Sequence, residues 1–338
     1  MVPLSCQHVC GTGNLIASGG QMPVRMQTLI GPSHLQSLLG MELLAVQLRR
    51  AAADETFQGG TVAMQVSLAH SPLTPLTVSR TAADNLGPNP MLAFDGTVTL
   101  PQSPPVTGQT VPWTAANVVH VPLTTATPTP FVYTGGTLCV EFLSQDVPGQ
   151  GSPWWVADAM VEDLRGSAIS IGDGCSAYGP QSSHCAIRTL IPGAFARFEA
   201  SGTPDGLGLL AFGLPGAPSP LVQFGLPANC YLHLGASTAF LAAIDTFVPF
   251  ATPQLNVGGG TAEACVRIPA VNQVLGATIT AQWLDLDQLT LSNGITATIG
   301  GAVPTLDMAC VQTWAGESIG SVRVDMAYVL RFEFQTPQ

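Results

Sequence analysis

Apolar and polar residues alternate with a period of two along much of the chain, which predicts β-strands. The pattern is clearest in Thr61-Val62-Ala63-Met64-Gln65-Val66-Ser67-Leu68, where Val62, Met64, Val66 and Leu68 share one face. Residues 41–50 place Leu43, Leu44, Val46 and Leu48 in an order that suits a strand or a short helix, and the alternating neighbours favour a strand. Further strands are expected at 96–100, 117–122, 136–142 and 155–161, while residues 1–40 read as a polar, glycine-bearing lead-in. A second series is expected at 194–200, 207–212, 230–234, 264–268 and 277–284. It closes with 288–291 and the turn Ser292-Asn293-Gly294, because Asn-Gly accepts positive φ at both central positions.

The tail has a different character. Val322, Val324, Met326, Tyr328, Leu330, Phe332 and Phe334 fall on the even face of residues 321–334, and Arg323, Asp325, Arg331 and Glu333 on the odd face. Burying seven such side chains at about 25 cal/mol per Å² contributes on the order of 10 kcal/mol, so the even face needs a partner surface. One long strand is expected, wet on its odd side, completing the sheet of the first domain or donated to a neighbouring subunit.

Gly172-Asp173-Gly174-Cys175, running on through Ser183-His184-Cys185 to Pro192-Gly193, reads as the joint between two domains, since glycines around an aspartate permit a tight turn. The 36 glycines and 28 prolines break helices and suit many short strands. The fold class expected is all-β, with two antiparallel, jelly-roll-like β-sandwich domains stabilised by disulfides. The first spans 1–171 and is completed by 300–338; the second spans 172–299. A chain of 338 residues has room for both.

Charged residues are only 9% of the chain, against about 25% in ordinary soluble domains. The apolar share of 46% excludes disorder, and no stretch of about 18 residues is apolar enough for a membrane span. There are ten arginines, no lysine and 21 acidic residues, a net charge of −11 that argues against a nucleic-acid partner. The one basic pair, Arg49-Arg50, reads as the solvated end of a strand. Low charge leaves little repulsion between copies, so association of identical subunits is permitted.

Eight cysteines, at 6, 10, 139, 175, 185, 230, 265 and 310, form no CxxC pair and have no matching histidine ladder. Disulfides are the better reading for Cys6, Cys10, Cys139, Cys175, Cys185, Cys230, Cys265 and Cys310, with connectivity open, and they imply an oxidising, extracellular or cell-surface location. Cys6 and Cys10 would pair only in a strained or bulged loop. An export leader is not visible at Met1-Val2-Pro3-Leu4-Ser5 and is expected to have been removed.

Four short motifs follow one another: Gly174-Cys175, Leu226-Pro227-Ala228-Asn229-Cys230-Tyr231-Leu232, Ala281-Gln282-Trp283-Leu284-Asp285 and Leu291-Ser292-Asn293-Gly294. Together they resemble a C-terminal β-module of secreted, functionally unassigned proteins from planctomycete-type bacteria. Phe131-Val132-Tyr133-Thr134-Gly135-Gly136-Thr137-Leu138 resembles the region that often precedes that module. The resemblance covers about half of the chain and implies an extracellular β-sandwich with Cys175 bonded to Cys230. It carries no assigned chemistry, and Cys185, Cys265 and the tail after Ile299 depart from its pattern.

Candidate chemistry is sparse. Gly316-Glu317-Ser318-Ile319-Gly320 matches a nucleophile elbow, but no histidine follows Ser318 and the downstream pattern is that of a strand, so a plain turn is expected. The histidines at 8, 34, 70, 120, 184 and 233 stand singly; His120 belongs on the polar face of a strand, and His184 beside Cys185 fits a tied loop better than a metal site. Trp283, Asp285 and Asp287 alternate onto one face and read as a solvated face ending at a turn, since calcium wants about six oxygens. Glu162-Asp163 and Asp146 are loose carboxylates. Trp154-Trp155 would stack on a sugar ring if one indole were exposed, and alternation sends the other into the core. No catalytic residue, metal ligand or cofactor is assigned. The leading expectation is a self-associating structural or adhesive protein, such as a surface-layer or filament subunit. The alternative is a carbohydrate-binding or carbohydrate-active protein partnered by surface polysaccharide, with a secreted serine hydrolase third.

Overall fold

The computed structural model describes the chain apart from residues 21, 109, 124–125, 127–128, 150–153, 236–246, 250–259, 315–316, 318 and 338, and the backbone alone at 4, 19 and 247–249. Its strands run, in chain order, β1 Gly13–Gly19, β2 Val24–Ile30, β3 Glu42–Arg49, β4 Gly60–Ser71, β5 Met91–Leu100, β6 Val118–Pro122, β7 Phe131–Val132, β8 Thr137–Gln145 and β9 Trp154–Val161. Then come β10 Ser167–Ile171, β11 Ser183–Cys185, β12 Phe195–Gly202, β13 Leu207–Gly213, β14 Pro215–Pro220 and β15 Tyr231–Leu234. The series ends with β16 Phe247–Pro249, β17 Gly260–Arg267, β18 Thr278–Asp285, β19 Thr290–Thr298, β20 Met308–Trp314, β21 Ser321–Arg323, β22 Met326–Tyr328 and β23 Leu330–Gln335. The fold is all-β, and every strand pairing is antiparallel.

Two compact units divide the chain: Met1–Asp163 with Thr305–Gln338, and Leu164–Pro304. The expected joint at Gly172 therefore lies inside the second unit. Strand β10 pairs with β19 along its whole length, which draws residues 164–171 across the boundary.

In the first unit a six-stranded sheet has the order β21-β20-β2-β8-β4-β5; beside it are β1-β9-β22 and β23-β3-β6, with β7 also on β3. One apolar core collects side chains from all three sheets, among them Leu15, Met26, Val46, Met64, Trp155, Cys310, Tyr328 and Phe332. The alternation of β4 is as its sequence indicates, with Val62, Met64, Val66 and Leu68 all buried. Strand β2 is the surprise, because it sits centrally in a segment that reads as lead-in. Gln27 on its outer face is polar yet buried: Gln27 Nε2 donates to Glu141 Oε2 (2.8 Å) and Ala82 O (2.9 Å), and Asn85 Nδ2 donates to Gln27 Oε1 (2.8 Å). A short helix, α1 Ala82–Leu86, supplies two of those groups.

The tail is not one strand. It breaks into β21, β22 and β23, which join three different sheets by pairing with β20, β9 and β3. The odd face consequently does not stay wet through the break: Asp325, Ala327 and Val329 are fully buried, while Arg331 and Glu333 keep contact with solvent. On the even face Phe334 emerges at 44% exposure, where a register shift between Glu333 and Phe334 ends the regular ladder.

In the second unit the sheets are β10-β19-β18-β13-β16, β11-β12-β17 and β14-β15. Asn293-Gly294 is not a hairpin turn but the interior of β19; the turn falls at 286–289, with Leu289 at φ 51°. Asn293 is buried because its amide is fully used: Oδ1 accepts from Ser183 N (2.9 Å), and Nδ2 donates to Ser170 Oγ (2.9 Å) and Ser183 O (3.1 Å). The four short motifs meet in space. Cys175 is disulfide-bonded to Cys230 with Cα atoms 5.1 Å apart, Cys175 N donates to Leu291 O (2.9 Å), and Gln282 Nε2 donates to Tyr231 O (2.9 Å) and Ser292 O (2.7 Å).

The other six cysteines carry free thiols, whereas disulfides are the expectation for most of the eight. Cys139 pairs with Leu29 and Cys310 with Thr28, so β2 lies between them and they face opposite sides. Cys185 pairs with Phe198 and Cys265 with Arg197, repeating the arrangement across β12. Two strand spacings put such Cα atoms about 10 Å apart, beyond the roughly 7 Å a disulfide spans. Burial pushes the Cys185 thiol up to about 12 and that of Cys139 well above its ordinary value. Iodoacetamide at pH 8 is therefore expected to label exposed Cys265 in the folded protein and to reach Cys139, Cys185 and Cys310 only after denaturation. Equal labelling of all four under native conditions would contradict this packing.

Candidate functional site

Strand β9 carries the two adjacent tryptophans, and alternation separates them. Trp155 is completely buried and meets Phe57 edge to face at 5.9 Å between centroids, whereas Trp154 is 52% exposed. Trp154 lies at the first position of β9, opposite Gly19 of β1. The β1–β9 ladder carries a bulge between Ile16 and Ser18, which re-aims the side chains at this end. The carbonyl of Ile16 accepts a hydrogen bond from the hydroxyl of Tyr328, a wholly buried side chain of β22.

What fixes β9 is a buried ion pair. Arg49, at the end of β3, donates through Nε to Asp158 Oδ2 (3.1 Å) and through Nη2 to the same oxygen, and neither side chain is more than 1% exposed. The remaining guanidinium donors go to Val111 O (3.2 Å), Cys6 O (3.2 Å) and Val9 O (2.7 Å), and Gly11 N donates to Asp158 Oδ1 (2.9 Å). Burial pushes the Asp158 carboxyl above its ordinary value, and the Arg49 guanidinium and the Gly11 and Ala159 N–H groups counter that push. Arg50 is equally buried. It donates to the carbonyls of Ala51, Ser103, Pro104, Ala53 and Glu55, with its guanidinium carbon 3.9 Å from the centroid of Phe57. The pair that reads as a solvated strand end thus anchors loops on both faces of β3. Proline-rich loops offer carbonyls with few backbone N–H partners, and an arginine brings five donors to them.

Beside Trp154 is an open cleft of about 320 Å³. It is lined by Asn14, Leu15 and Ile16 of β1, Val156 of β9, Glu55, Gln312 of β20 and Arg323 of β21, together with Trp154 itself. The cleft offers one indole face, two amides, a carboxylate and a guanidinium. Such a set suits a ligand with an apolar face and a rim of hydroxyl groups: the ring stacks on the indole while the planar groups bind hydroxyls in pairs.

Other residues singled out from the sequence serve the scaffold. Asp285 is buried, with Oδ2 accepting from Thr203 N (2.7 Å) and Thr203 Oγ1 (2.8 Å) and Oδ1 accepting from Asp287 N (3.0 Å). Asp287 Oδ2 accepts from Leu207 N (2.7 Å), so the two carboxylates tie turns together, and Trp283 lies in the core rather than on a solvated face. Glu162 accepts from Thr305 N at 3.1 Å. His184 stands on the exposed face of β11, 3.1 Å from Glu199, while Cys185 turns inward, so they form neither a shared site nor a tied loop. His120 is exposed on β6 and reaches Glu333 at 3.4 Å. Among the described residues no three His, Cys, Asp or Glu side chains gather as metal ligands. Ser318 and Gly316 lie outside the described residues.

No family model matches the chain, and neither a curated protein nor a solved structure is significantly similar to it.

The ion pair and the two tryptophans separate scaffold from surface in a measurable way. Asp158→Ala strands a buried guanidinium and is expected to cost about 3–5 kcal/mol in urea unfolding. Trp155→Ala is expected to cost about 3–5 kcal/mol by leaving a cavity, against less than about 1 kcal/mol for half-exposed Trp154→Ala. Equal costs at 154 and 155, or an Asp158→Ala protein as stable as the wild type, would refute the arrangement.

Proposed function

We propose that this chain is an extracellular adhesive protein that holds carbohydrate in the Trp154 cleft. The observation that carries the reading is a half-exposed indole at the edge of a cleft otherwise lined by Asn14, Glu55, Gln312 and Arg323. A purely apolar ligand would leave those amides and charges unsatisfied, and a polar ligand without an apolar face would gain nothing from the ring. The Cys175–Cys230 bond supports an oxidising location, and the all-β fold contains, among the described residues, no helix long and apolar enough to cross a membrane. On a glycan array the wild type is expected to retain a restricted set of glycans, and Trp154→Ala to lose at least about tenfold in affinity for them while keeping its fold. Retention of no glycan, or unchanged binding by Trp154→Ala, would refute the proposal.

A second reading, association of identical subunits, is favoured by exposed apolar side chains in one segment of the second unit. Leu214, Val222, Phe224 and Tyr231 are exposed by 53%, 56%, 68% and 40%, within a segment, 214–234, that contains no Asp, Glu, Lys or Arg. Prolines at 215, 218 and 220 remove backbone donors from β14, so contact there would be through side chains rather than by strand addition. Sedimentation of the wild type is expected to show concentration-dependent association that Phe224→Asp abolishes. A wild type that is monomeric at all concentrations removes this reading and leaves the first untouched.

A further inference from the structure

We propose that a second cleft of the first unit, about 480 Å³ in volume, binds a hexuronate, with the guanidinium of Arg331 holding the sugar's carboxylate. Met1, Gln7, His8, Trp113, Arg331 and Phe332 line it, and it shares no lining residue with the Trp154 cleft. The volume falls within the roughly 300–1,000 Å³ usual for small-ligand sites. Among the described residues no acidic side chain lines this cleft, although the chain carries a net charge of −11. Arg331 supplies the cation. Its guanidinium carbon is 5.5 Å from the centroid of the Trp113 indole, and it makes no hydrogen bond or ion pair with the described residues. The neighbouring carboxylate, Glu333, is engaged elsewhere: its Oε1 accepts from Gln47 Nε2 (2.6 Å) and lies 3.4 Å from His120 Nε2. Asp158 is held by Arg49 and Gly11. A guanidinium packed on an indole keeps its N–H edge for a planar anion, and a carboxylate matches that fork with two parallel bonds.

The lining is held together before any ligand arrives. Arg49 Nη2 binds Cys6 O (3.2 Å) and Val9 O (2.7 Å), the carbonyls on either side of Gln7 and His8. Its Nη1 binds Val111 O (3.2 Å), two residues ahead of Trp113, and its guanidinium carbon is 4.8 Å from the Trp113 centroid. Val2 N donates to Leu330 O (2.8 Å) and Leu330 N to Val2 O (2.9 Å), which seats Met1 beside the start of β23. Stretches remote in sequence are thus fixed around one buried arginine, and little ordering is left to oppose binding. Gln7 and His8 are exposed and make no side-chain hydrogen bond with the described residues, so an amide and a ring nitrogen are open to hydroxyl groups. Met1, Phe332 and Trp113 supply apolar surface for the carbon face of a ring. A neutral sugar would leave the guanidinium without its anion, and a simple aliphatic acid would leave the amide and imidazole without partners.

The test titrates the full chain, isotope-labelled at tryptophan, with glucuronate, glucose and acetate. The readout is the NMR signal of the Trp113 indole N–H, assigned by its loss in Trp113→Phe. Glucuronate is expected to shift that signal saturably, and glucose and acetate to bind at least about tenfold more weakly. Arg331→Gln is expected to lower the affinity for glucuronate at least about tenfold, and Arg331→Lys, which keeps the charge without the fork, to recover only part of it. Gln7→Ala, at an exposed position where the fold is not at stake, is expected to weaken glucuronate at least about threefold. No shift of Trp113 with glucuronate, equal affinity for glucose or acetate, or an Arg331→Gln protein that binds as the wild type does would each overturn the proposal. Because Trp154 lines only the other cleft, failure here leaves the Trp154 reading standing, and failure there leaves this one standing.

Discussion

Arg49 and Asp158 are the constraint on which the first unit rests. Two opposite charges removed from water are costly, and they are stable only when every remaining donor and acceptor is used. Here the requirement is met by recruiting backbone from separate parts of the chain: Cys6, Val9 and Val111 accept from the arginine, and Gly11 donates to the aspartate. The charges are therefore a means of gathering loops. In a chain whose 28 prolines have no N–H to donate, carbonyls outnumber backbone donors, and the few arginines cover part of the deficit. Arg50 repeats the device on the adjacent loops, with five carbonyls around one side chain.

The second unit solves the same problem with neutral groups. Asn293 and Gln282, buried on neighbouring strands, spend their amides on the backbone of β11 and β15 and on Ser292, and a disulfide fastens the loop ahead of β15. The short motifs that stand far apart in the sequence are thus members of one hydrogen-bonded node. Buried amides leave little room for substitution, because losing one partner exposes the full desolvation cost of the other.

How much of this was legible in the sequence follows from which forces are local. The alternation of β4 is visible because one face is apolar and the other is not, and the opposed fates of Trp154 and Trp155 follow from the same period. Strand β2 is hidden in the sequence because its outer face carries half-exposed Arg25 and wholly buried Gln27, so the pattern reads as a solvated lead-in. Asn293-Gly294 misled for a related reason: the residues suit a turn, but packing against Ser183 and Ser170 gives the amide a better use inside a strand. Arg49-Arg50 reads as surface because its partners, Asp158 and the carbonyls of residues 6, 9, 103, 104 and 111, have no sequence relation to it. The cleft was half legible. Trp154 announced itself, while Asn14, Glu55, Gln312 and Arg323 are single residues that only the sheet topology brings to it.

The path of the tail has a consequence for biosynthesis. Strand β23 lies against β3, whose residues leave the ribosome nearly three hundred positions earlier, and β20 lies against β2 in the same way. The described strands of residues 164–304 have their sheet partners within that segment, which is free to fold as it emerges. The first unit has to wait with β2 and β3 unpaired on one edge until translation is nearly finished. During that interval it presents two hydrophobic strand edges to the cell, which is the state that holding chaperones bind and that aggregation exploits.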